Sequence, residues 1–410
     1  MKFDFLYLIG VLLALLAEAA PGKMPVHTPE FADVLFLMYI VVSGGLPRKG
    51  NPYGTWMIVV YAFFLLSMAW GLDLWTCYWG LRQVFVVFIG MLASYRYMKC
   101  TPDGVKNILK VYLVESFILV VFIFLNIDQF EQGVRLGQQL GDDEETALNS
   151  NIIAINLCYA IYCGFVIFGQ GKKNMLNRLM FVASVALFLY LILLTGSRKS
   201  LLMLAIPLLV FAFLQKSKRK GFVVLLVASS VIVVGGYAVM NIPMLYDIMG
   251  SRVEEMFNIL SGNVETGDDV SRMFLITYGI EWFKEQPLLG YGINNFRILS
   301  NNTSMFAGQN FYAHNNYIEL LVDVGIIGFL IYYSCLVYIW KKLKGNFSDS
   351  ILNKWVASLI VVRLFLDFAM VSYYSFTSNL ILCLCFYAVY VSRKSKVASK
   401  TTQKMEIAMQ

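Results

Sequence analysis

The sequence is poor in charged residues and in histidine. Only 14% of its 410 residues are Asp, Glu, Lys or Arg, whereas 59% are hydrophobic, and the mean hydropathy is +0.66. So apolar a composition excludes an ordinary soluble domain. Histidine occurs twice, as His27 and His314, so any imidazole chemistry has only two candidate carriers.

Several sequence signatures of known chemistries are also absent. The chain has no Gly-x-x-x-x-Gly-Lys loop, which argues against ATP hydrolysis, and no Asp-x-Asp motif of the nucleotide-sugar type. Its seven cysteines lie in or beside apolar runs, so a disulfide framework is not expected. No Cys/His pair has the spacing of a metal site. We therefore expect no metal and no other cofactor.

Twelve apolar runs recur along the chain, most of them long enough to cross a bilayer. They are predicted to be helices, because an open strand edge is not tolerated in lipid. The prediction is an all-α polytopic membrane protein with about 12 transmembrane helices. The runs cover 4–19, 31–46, 55–71, 76–95, 108–128, 151–170, 178–196, 200–215, 221–240, 317–340, 351–370 and 376–392.

This pattern divides the chain into four parts. Residues 1–240 hold the first nine predicted spans, 241–316 form a large extracytoplasmic loop, 317–392 hold the last three spans, and 393–410 form a basic cytoplasmic tail. We expect the large loop to lie over the helix bundle as short amphipathic helices.

The distribution of Lys and Arg predicts the orientation in the membrane. If the N-terminus is cytoplasmic, 23 of the 33 basic residues lie in cytoplasmic segments and 8 lie outside. Both termini are therefore predicted to be cytoplasmic, and this bias explains the net charge of +7 without a nucleic-acid partner. The first run also resembles a cleaved secretory signal ending near Ala20, but we expect a retained helix.

Within the large loop, the sequence predicts a helix over 271–286. Ser271 is a plausible N-cap, apolar residues recur at helical spacing, and Pro287 and Gly290 end the pattern. The glycine-rich run 287–296 that follows can bring backbone close to a ligand. The acidic run 142–145, in the other polar outside loop (129–150), is expected to be solvated rather than a metal site. Specificity is expected in 129–150 and 297–313.

His314 is the candidate catalytic residue. It lies in the run Ala313–Tyr317 (AHNNY), which closes the large loop just before a predicted span. A titratable imidazole at the mouth of a membrane cavity is suited to proton transfer, as a general base or proton carrier. The alternative is a hydrogen-bonded structural histidine at the interface, which is the role we expect for His27.

Cations on the outside face are candidates for binding phosphate. Arg198 and Lys199 run against the positive-inside bias, and Arg272 offers a second guanidinium on the same face. Arg82 lies inside a predicted span, where arginine is costly unless it has a function. The alternatives are snorkelling to lipid headgroups and an ordinary solvent-facing position. Arg363 is also inside a span, but Asp367 one turn later can neutralise it.

Three polar residues around His314 are candidates for orienting the acceptor or the histidine. Glu319 and Asp323 follow on the first turns of the next span and share one face at i, i+4. Asn315 belongs to an Asn-rich segment suited to binding hydroxyl groups. A purely structural role for the two carboxylates stays open.

The motifs in this order resemble the O-antigen ligase/polymerase superfamily over roughly residues 190–330. The resemblance is carried by Gly196-Ser197-Arg198, Ser271-Arg272, the run 287–296 (PLLGYGINNF), Ala313–Tyr317 and the run 323–328 (DVGIIG). It implies a C-type glycosyltransferase fold and metal-independent, inverting transfer from an undecaprenyl-diphosphate-linked glycan. That reaction takes place at the outer face of the bacterial inner membrane.

The resemblance also implies roles for individual residues. Arg198 and Arg272, with Arg82 as a further candidate, would bind the diphosphate, and His314 would deprotonate the acceptor hydroxyl or stabilise the transition state. Members of the superfamily often have Glu where this chain has Asp323, which leaves a specific role for that carboxylate open. Membrane lipid, a flippase and a chain-length regulator are the expected partners.

Two activities fit this resemblance. We predict a polymerase that joins lipid-linked repeat units into O-antigen or capsular polysaccharide. The alternative is a ligase that transfers finished glycan to lipid A-core. A glycan flippase is a further alternative from another class, disfavoured by the long outside loop and the outside cations. A membrane O-acyltransferase would need its histidine on the cytoplasmic side.

Overall fold

The computed structural model describes residues 3–20, 24–25, 27–45, 51–125, 136, 149–170, 174–260, 268–347 and 350–408. The described residues form helices, helical turns and loops, with no β-strand among them, which confirms the all-α prediction. The helices are α1 (Asp4–Ala19), α2 (Thr28–Val42), α3 (Pro52–Ser67), α4 (Leu74–Cys100), α5 (Gly104–Leu125), α6 (Ser150–Gln170), α7 (Met175–Leu194), α8 (Arg198–Phe213), α9 (Lys218–Asn241), α10 (Pro243–Leu245), α11 (Ser251–Leu260), α12 (Asp268–Glu285), α13 (Phe296–Asn301), α14 (Asn316–Leu343), α15 (Ile351–Leu366) and α16 (Phe376–Ala408).

Each of the twelve predicted spans coincides with one helix. Eight of the helices in the described ranges are long and apolar enough to cross a membrane, namely α3 to α7, α9, α14 and α16, so the chain is a polytopic membrane protein. The other four, α1, α2, α8 and α15, have 15 or 16 residues. At a rise of about 1.5 Å per residue they are shorter than the roughly 30 Å hydrocarbon core. The total of twelve spans therefore stays a prediction.

The helices pack around α1, α4 and α16. Tyr7 of α1 stacks on Tyr97 of α4 with ring centroids 4.2 Å apart, and its hydroxyl donates to Ser94 at 2.9 Å. Phe36 of α2 stacks on Phe376 of α16 at 5.9 Å. The contact between Phe36 and Phe376 holds the beginning of α16 against α2, and thereby fixes one wall of the cavity described below.

The large loop folds as the sequence predicts in part. α12 ends at Glu285 before Pro287, as expected, but it begins at Asp268. Ser271 is therefore inside the helix and the N-cap assignment was wrong. Two aspartates at the start suit the positive end of the helix dipole, which explains the earlier start. The acidic run 142–145 lies outside the described residues.

Two predicted features of the last spans differ from the structure. α14 is kinked at Gly325, which has φ 63° and ψ −174°, rather than continuous. α16 has no break at the predicted boundary at 392, and the helix continues to Ala408.

The predicted intrahelical ion pair on α15 is confirmed. Arg363 Nε lies 2.9 Å from Asp367 Oδ1, and both side chains are buried. Arg363 also donates to the Tyr332 hydroxyl at 2.6 Å, and Asp367 accepts hydrogen bonds from Tyr333 and Ser372. The pair is therefore neutralised inside the bundle, which accounts for an intramembrane arginine without a ligand.

Replacing Arg363 alone should be more destabilising than neutralising the pair. Arg363→Leu leaves the Asp367 carboxylate buried without its cation, at a cost of about 3–5 kcal/mol. Adding Asp367→Asn removes that charge and keeps one acceptor oxygen for the hydroxyl groups of Tyr333 and Ser372. Thermal unfolding in detergent should therefore show a smaller loss for the double variant. Equal losses would mean that the charge pair is not what Arg363 contributes.

Candidate active site

A cavity of about 790 Å³ lies between α1, α2, α4 and α6, and the segments 312–314 and 369–378 contribute to its wall. Its charged lining residues form two groups, and Glu18 is a further carboxylate of the wall. Lys199 and Arg272 lie beside His314, and we name these three the cation side. Glu30 and Asp33 lie beside Arg82, and we name these three the carboxylate side. The histidine therefore has cations as its charged neighbours in the lining, whereas Arg82 has carboxylates.

His314 is held in an unusual backbone conformation. Its φ is +52°, in the left-handed region that non-glycine residues seldom adopt. On one side, the N–H of Ala313 donates to Glu319 at 2.5 Å. On the other, Asn315 caps α14 by accepting from the backbone N–H groups of Tyr317 and Ile318 at 3.0 and 3.1 Å. Glu319 and Asn315 thus orient the histidine segment through its backbone.

The second asparagine of the motif ties α14 to the opposite wall of the cavity. The Asn316 side chain accepts from the N–H groups of Ser372 and Tyr373 at 2.9 and 3.1 Å and donates to Tyr333 at 2.8 Å. Its own N–H donates to the carbonyl of Asp367 at 2.7 Å. The side chain is fully buried, so its role is to join the histidine segment to 367–373.

The glycine-rich run 287–296 lies against the backbone of α14. The sequence analysis had expected the run to approach a ligand. The N–H groups of Tyr291 and Gly292 donate to the carbonyls of Val322 and Asp323 at 2.9 and 2.7 Å. The N–H of Ile326 donates to Pro287 at 2.9 Å, which satisfies a group freed by the kink in α14. The run therefore packs backbone to backbone on the kink.

Asp323 also fastens the 287–296 run to the kink in α14, and we call this contact region the joint. Its two carboxylate oxygens accept from the N–H groups of Asn294 and Phe296, both at 2.7 Å, and the side chain is fully buried. A carboxylate that accepts two buried N–H groups is a strong structural contact. The shorter side chain of Asp at this position holds the loop and is not at the cavity surface, since it is absent from the lining residues.

Two of the cations predicted to bind phosphate line the cavity beside His314, and a third does not. Lys199 and Arg272 line the cavity, and the Lys199 ammonium also donates to the carbonyl of Ala369. Arg198, one residue before Lys199, is not a lining residue and donates to the carbonyl of Arg252 at 2.9 Å, which links α8 to α11. The structure therefore brings Arg272 to His314 together with Lys199, while Arg198 supports the start of α8.

Arg82 lines the same cavity on the carboxylate side. It forms an ion pair with Glu30, and its guanidinium lies 4.9 Å from the ring centroid of Trp79. Asp33 is a further carboxylate close to it. One positive charge among two carboxylates does not favour an additional anion.

The electrostatic setting keeps the His314 imidazole neutral. Burial lowers the pKa of His314 to about 3, and the charges of Arg272, Lys199 and Arg297 act in the same direction. A neutral imidazole can accept a proton, so the free protein holds His314 in the form that a general base requires.

Three residues of the site were missed by the sequence reasoning. Tyr312 stacks beside His314 with ring centroids 4.0 Å apart, and Tyr374 lines the cavity near it. Arg297 lies under Tyr312, with its guanidinium 5.2 Å from the ring centroid. The polar segment around Arg297 had been assigned to substrate specificity, and nothing in its spacing pointed to contacts with the histidine segment.

The fold and the site define a polytopic membrane protein with a charge-lined cavity whose wall includes His314 and also the exposed His27. Residues 183–333 match the family model described as O-antigen ligase. That stretch runs from α7 into α14 and contains Lys199, Arg272 and His314 together with the kink. Over that stretch the chain is similar to the O-antigen ligase family.

Part of the chain is also similar to a curated relative. A protein of Rickettsia felis (strain ATCC VR-1525 / URRWXCal2) named "Putative polysaccharide ligase" is 30% identical over an 87-residue alignment. The alignment covers 19% of this chain and 21% of that protein. The likeness thus concerns about a fifth of each protein.

Enlarging a glycine at the kink should open the joint. A Cβ at Gly325 would lie 2.2 Å from the carbonyl oxygen of Leu288, so Gly325→Ala must displace the 287–296 run. We expect a loss of about 2 kcal/mol or more and increased proteolysis within the large loop. Gly345→Ala is the matched control, since Gly345 also has a positive φ but has nothing within 4 Å of a Cβ. Equal effects of the two would show that backbone strain alone is responsible.

The ionisation of His314 should be visible in the pH dependence of stability. Its pKa is lower in the folded protein than in the unfolded chain, so neutral His314 contributes stability above about pH 6.5, and this is lost as the pH falls toward 3. Between about pH 7.5 and pH 5 the wild type should lose about 2 kcal/mol that His314→Gln does not lose. The control His27→Gln removes the other histidine, which is exposed, and should leave the loss that depends on His314 in place. Parallel pH profiles of wild type and His314→Gln would contradict the assignment.

Proposed function

We propose that this protein is a membrane glycosyltransferase that polymerises undecaprenyl-diphosphate-linked oligosaccharide repeat units into O-antigen or capsular polysaccharide. The observation that carries the proposal is the placing of Lys199 and Arg272 beside His314 in one cavity. Displacing a diphosphate by a sugar hydroxyl requires cations for the leaving group and a base for the acceptor. The cation side offers both.

In the proposed reaction, the acceptor hydroxyl attacks the anomeric carbon of the donor glycan with inversion. The bond between that carbon and the diphosphate oxygen breaks, and the lipid diphosphate leaves with the electron pair. The hydroxyl proton passes to His314, and Lys199 and Arg272 stabilise the charge on the leaving diphosphate. The diphosphate linkage is already activated, so the transfer needs no nucleoside triphosphate.

Donor binding and the basicity of His314 are coupled in this scheme. Two of the three cations that lower the pKa of His314 in the free protein, Arg272 and Lys199, are those that would pair with the diphosphate. A bound dianion offsets their positive charge and raises the proton affinity of the imidazole. His314 thus becomes a stronger base when the donor is in place.

The carboxylate side would orient the two substrates. Glu30 and Asp33 repel a diphosphate, so the donor is held with its phosphates toward Lys199 and Arg272. Carboxylates and the Trp79 ring are suited to hydroxyl groups and to a sugar face, which places the acceptor glycan on this side. Arg82, paired with Glu30, is assigned to this side and not to the diphosphate.

The membrane arrangement that we propose with this function is based on the distribution of Lys and Arg along the chain. We propose twelve spans, both termini in the cytoplasm, and the cavity at the outer face of the bacterial inner membrane. Undecaprenyl-linked repeat units would then reach the cavity after a flippase has moved them across. The flippase and a chain-length regulator stay predicted partners.

A ligase that transfers finished glycan to lipid A-core is the second candidate. It is favoured by the description of the matching family model and by the name of the Rickettsia relative. The cavity serves both reactions, because donor and leaving group are the same and only the acceptor differs.

The test is glycan profiling on gels of a deletion strain complemented with wild type or variants. Single repeat units on the core lipid in the deletion strain indicate the polymerase, whereas long lipid-linked polymer with bare core lipid indicates the ligase. His314→Ala, Arg272→Ala and Lys199→Ala should fail to restore the wild-type ladder at normal membrane levels. Removal of one leaving-group cation is expected to lower the rate about 100-fold or more.

Lys284→Ala is the control, since it removes an exposed positive charge at the end of α12. It should restore the ladder. A normal ladder from His314→Ala at wild-type protein levels would reject the catalytic assignment and favour a carrier.

A further inference from the structure

We propose that Arg297 is a positioning residue for the glycosyl transfer proposed above, which holds Tyr312 and Tyr374 and thereby fixes the orientation of the His314 ring. The inference rests on that proposed function for its catalytic meaning. The geometry on which it stands involves only residues of this chain.

Arg297 is anchored on the loop side by two hydrogen bonds. Its Nε donates to the side-chain oxygen of Asn294 at 3.0 Å, and its Nη1 donates to the carbonyl of Asn310 at 3.2 Å. Asn294 is itself held through its N–H by Asp323. The guanidinium therefore has a fixed position relative to the kink in α14.

On the cavity side, Arg297 contacts two tyrosines. The guanidinium lies 5.2 Å from the centroid of the Tyr312 ring, and Tyr374 lies within reach of its positive charge. Both tyrosines line the cavity, whereas Arg297 does not. Arg297 thus acts from behind the cavity wall, through the two rings.

The Tyr312 ring packs against the His314 ring, so the position of Arg297 affects the orientation of the histidine. Its ring lies 4.0 Å from the His314 ring at an interplanar angle of 39°. The His314 backbone is fixed separately, through Ala313 and Asn315. Backbone and ring are therefore held by different direct contacts, and Arg297 lies against the ring that packs on His314.

A counter-charge makes the buried part of this arrangement stable. Glu319 is fully buried, and one of its oxygens accepts from Ala313, while the other has no hydrogen-bond partner in the described part of the chain. Burial acts to lower the pKa of Arg297, but Glu319 together with Tyr374, Tyr373 and Asp323 outweighs burial and raises that pKa. Glu319 therefore supports both the backbone of the histidine segment and the cation behind Tyr312.

The charged and titratable groups around His314 come from several elements. Lys199 is on α8 and Arg272 on α12, Arg297 is on α13, and Tyr312 precedes the histidine in its own segment. Glu319 on α14 and Tyr374 before α16 complete the set through Arg297. Of the three cations, Arg297 is the one that reaches His314 through an aromatic ring.

The test reads the ring contact by NMR in a His27→Gln background, where a labelled histidine reports only on His314. The Tyr312 ring shifts the His314 ring resonances, and Tyr312→Ala supplies the spectrum of the unstacked ring. We expect Arg297→Gln to move the resonances most of the way to the Tyr312→Ala positions. Arg297→Lys keeps the charge without a planar group, so it should give an intermediate shift. Lys284→Gln should leave the spectrum unchanged.

Activity measured on the same variants separates positioning from stability. Arg297→Gln should lower kcat about 10- to 100-fold with little change in KM, since a misplaced base costs rate rather than binding. Wild-type resonances for both Arg297 variants would overturn the proposal, and a lower melting temperature with unchanged spectra would make Arg297 merely structural. If wild type itself shows no glycosyl transfer, the proposed function fails, while the spectra still decide the role of Arg297. Should Arg297→Gln not accumulate, Arg297→Lys provides the same spectral readout.

Discussion

Two buried carboxylates on α14 hold the site together by accepting hydrogen bonds from backbone N–H groups. Glu319 accepts from Ala313, and Asp323 accepts from Asn294 and Phe296. Buried carboxylates are costly unless such donors surround them, and here the donors come from the loop. The histidine segment, the glycine-rich run and α13 are therefore all fixed by the first two turns of one helix.

The cavity built on this joint has an uneven charge distribution. Lys199 and Arg272 face His314, whereas Glu30 and Asp33 surround Arg82. Charges in a cavity wall are screened less than charges at an open surface. Under the proposed function, the lipid diphosphate would lie by Lys199 and Arg272, and the acceptor glycan would lie by Glu30 and Asp33.

The sequence predicted the helices well, because apolar runs in a membrane protein admit few alternatives. It also predicted the ion pair of Arg363 and Asp367, which is a local i, i+4 contact. It did not predict the kink at Gly325, because a glycine within an apolar run does not by itself show that another backbone will approach it. For the same reason the 287–296 run was assigned to a ligand.

The sequence analysis named the main residues of the candidate site but not the residues that hold them in place. His314 was selected because histidine is rare in this chain, and Arg272 because it is a cation on the predicted outside face. Both residues line the cavity. Arg198 and Lys199 are adjacent in sequence and indistinguishable by composition, and only the helical rotation at the start of α8 decides which of them faces the cavity. Arg297 acts through contacts with residues up to 77 positions away, and such contacts leave no mark on spacing.

The kink in α14 has a consequence for how proteins of this kind can diverge. The N–H of Ile326 is satisfied by the carbonyl of Pro287, so helix and loop complete each other's backbone inside the bundle. A loop grafted from a relative onto a foreign α14 would leave these groups unmatched. The two must therefore be inherited or recombined as a single block, and sequence differences between relatives should accumulate in segments outside it.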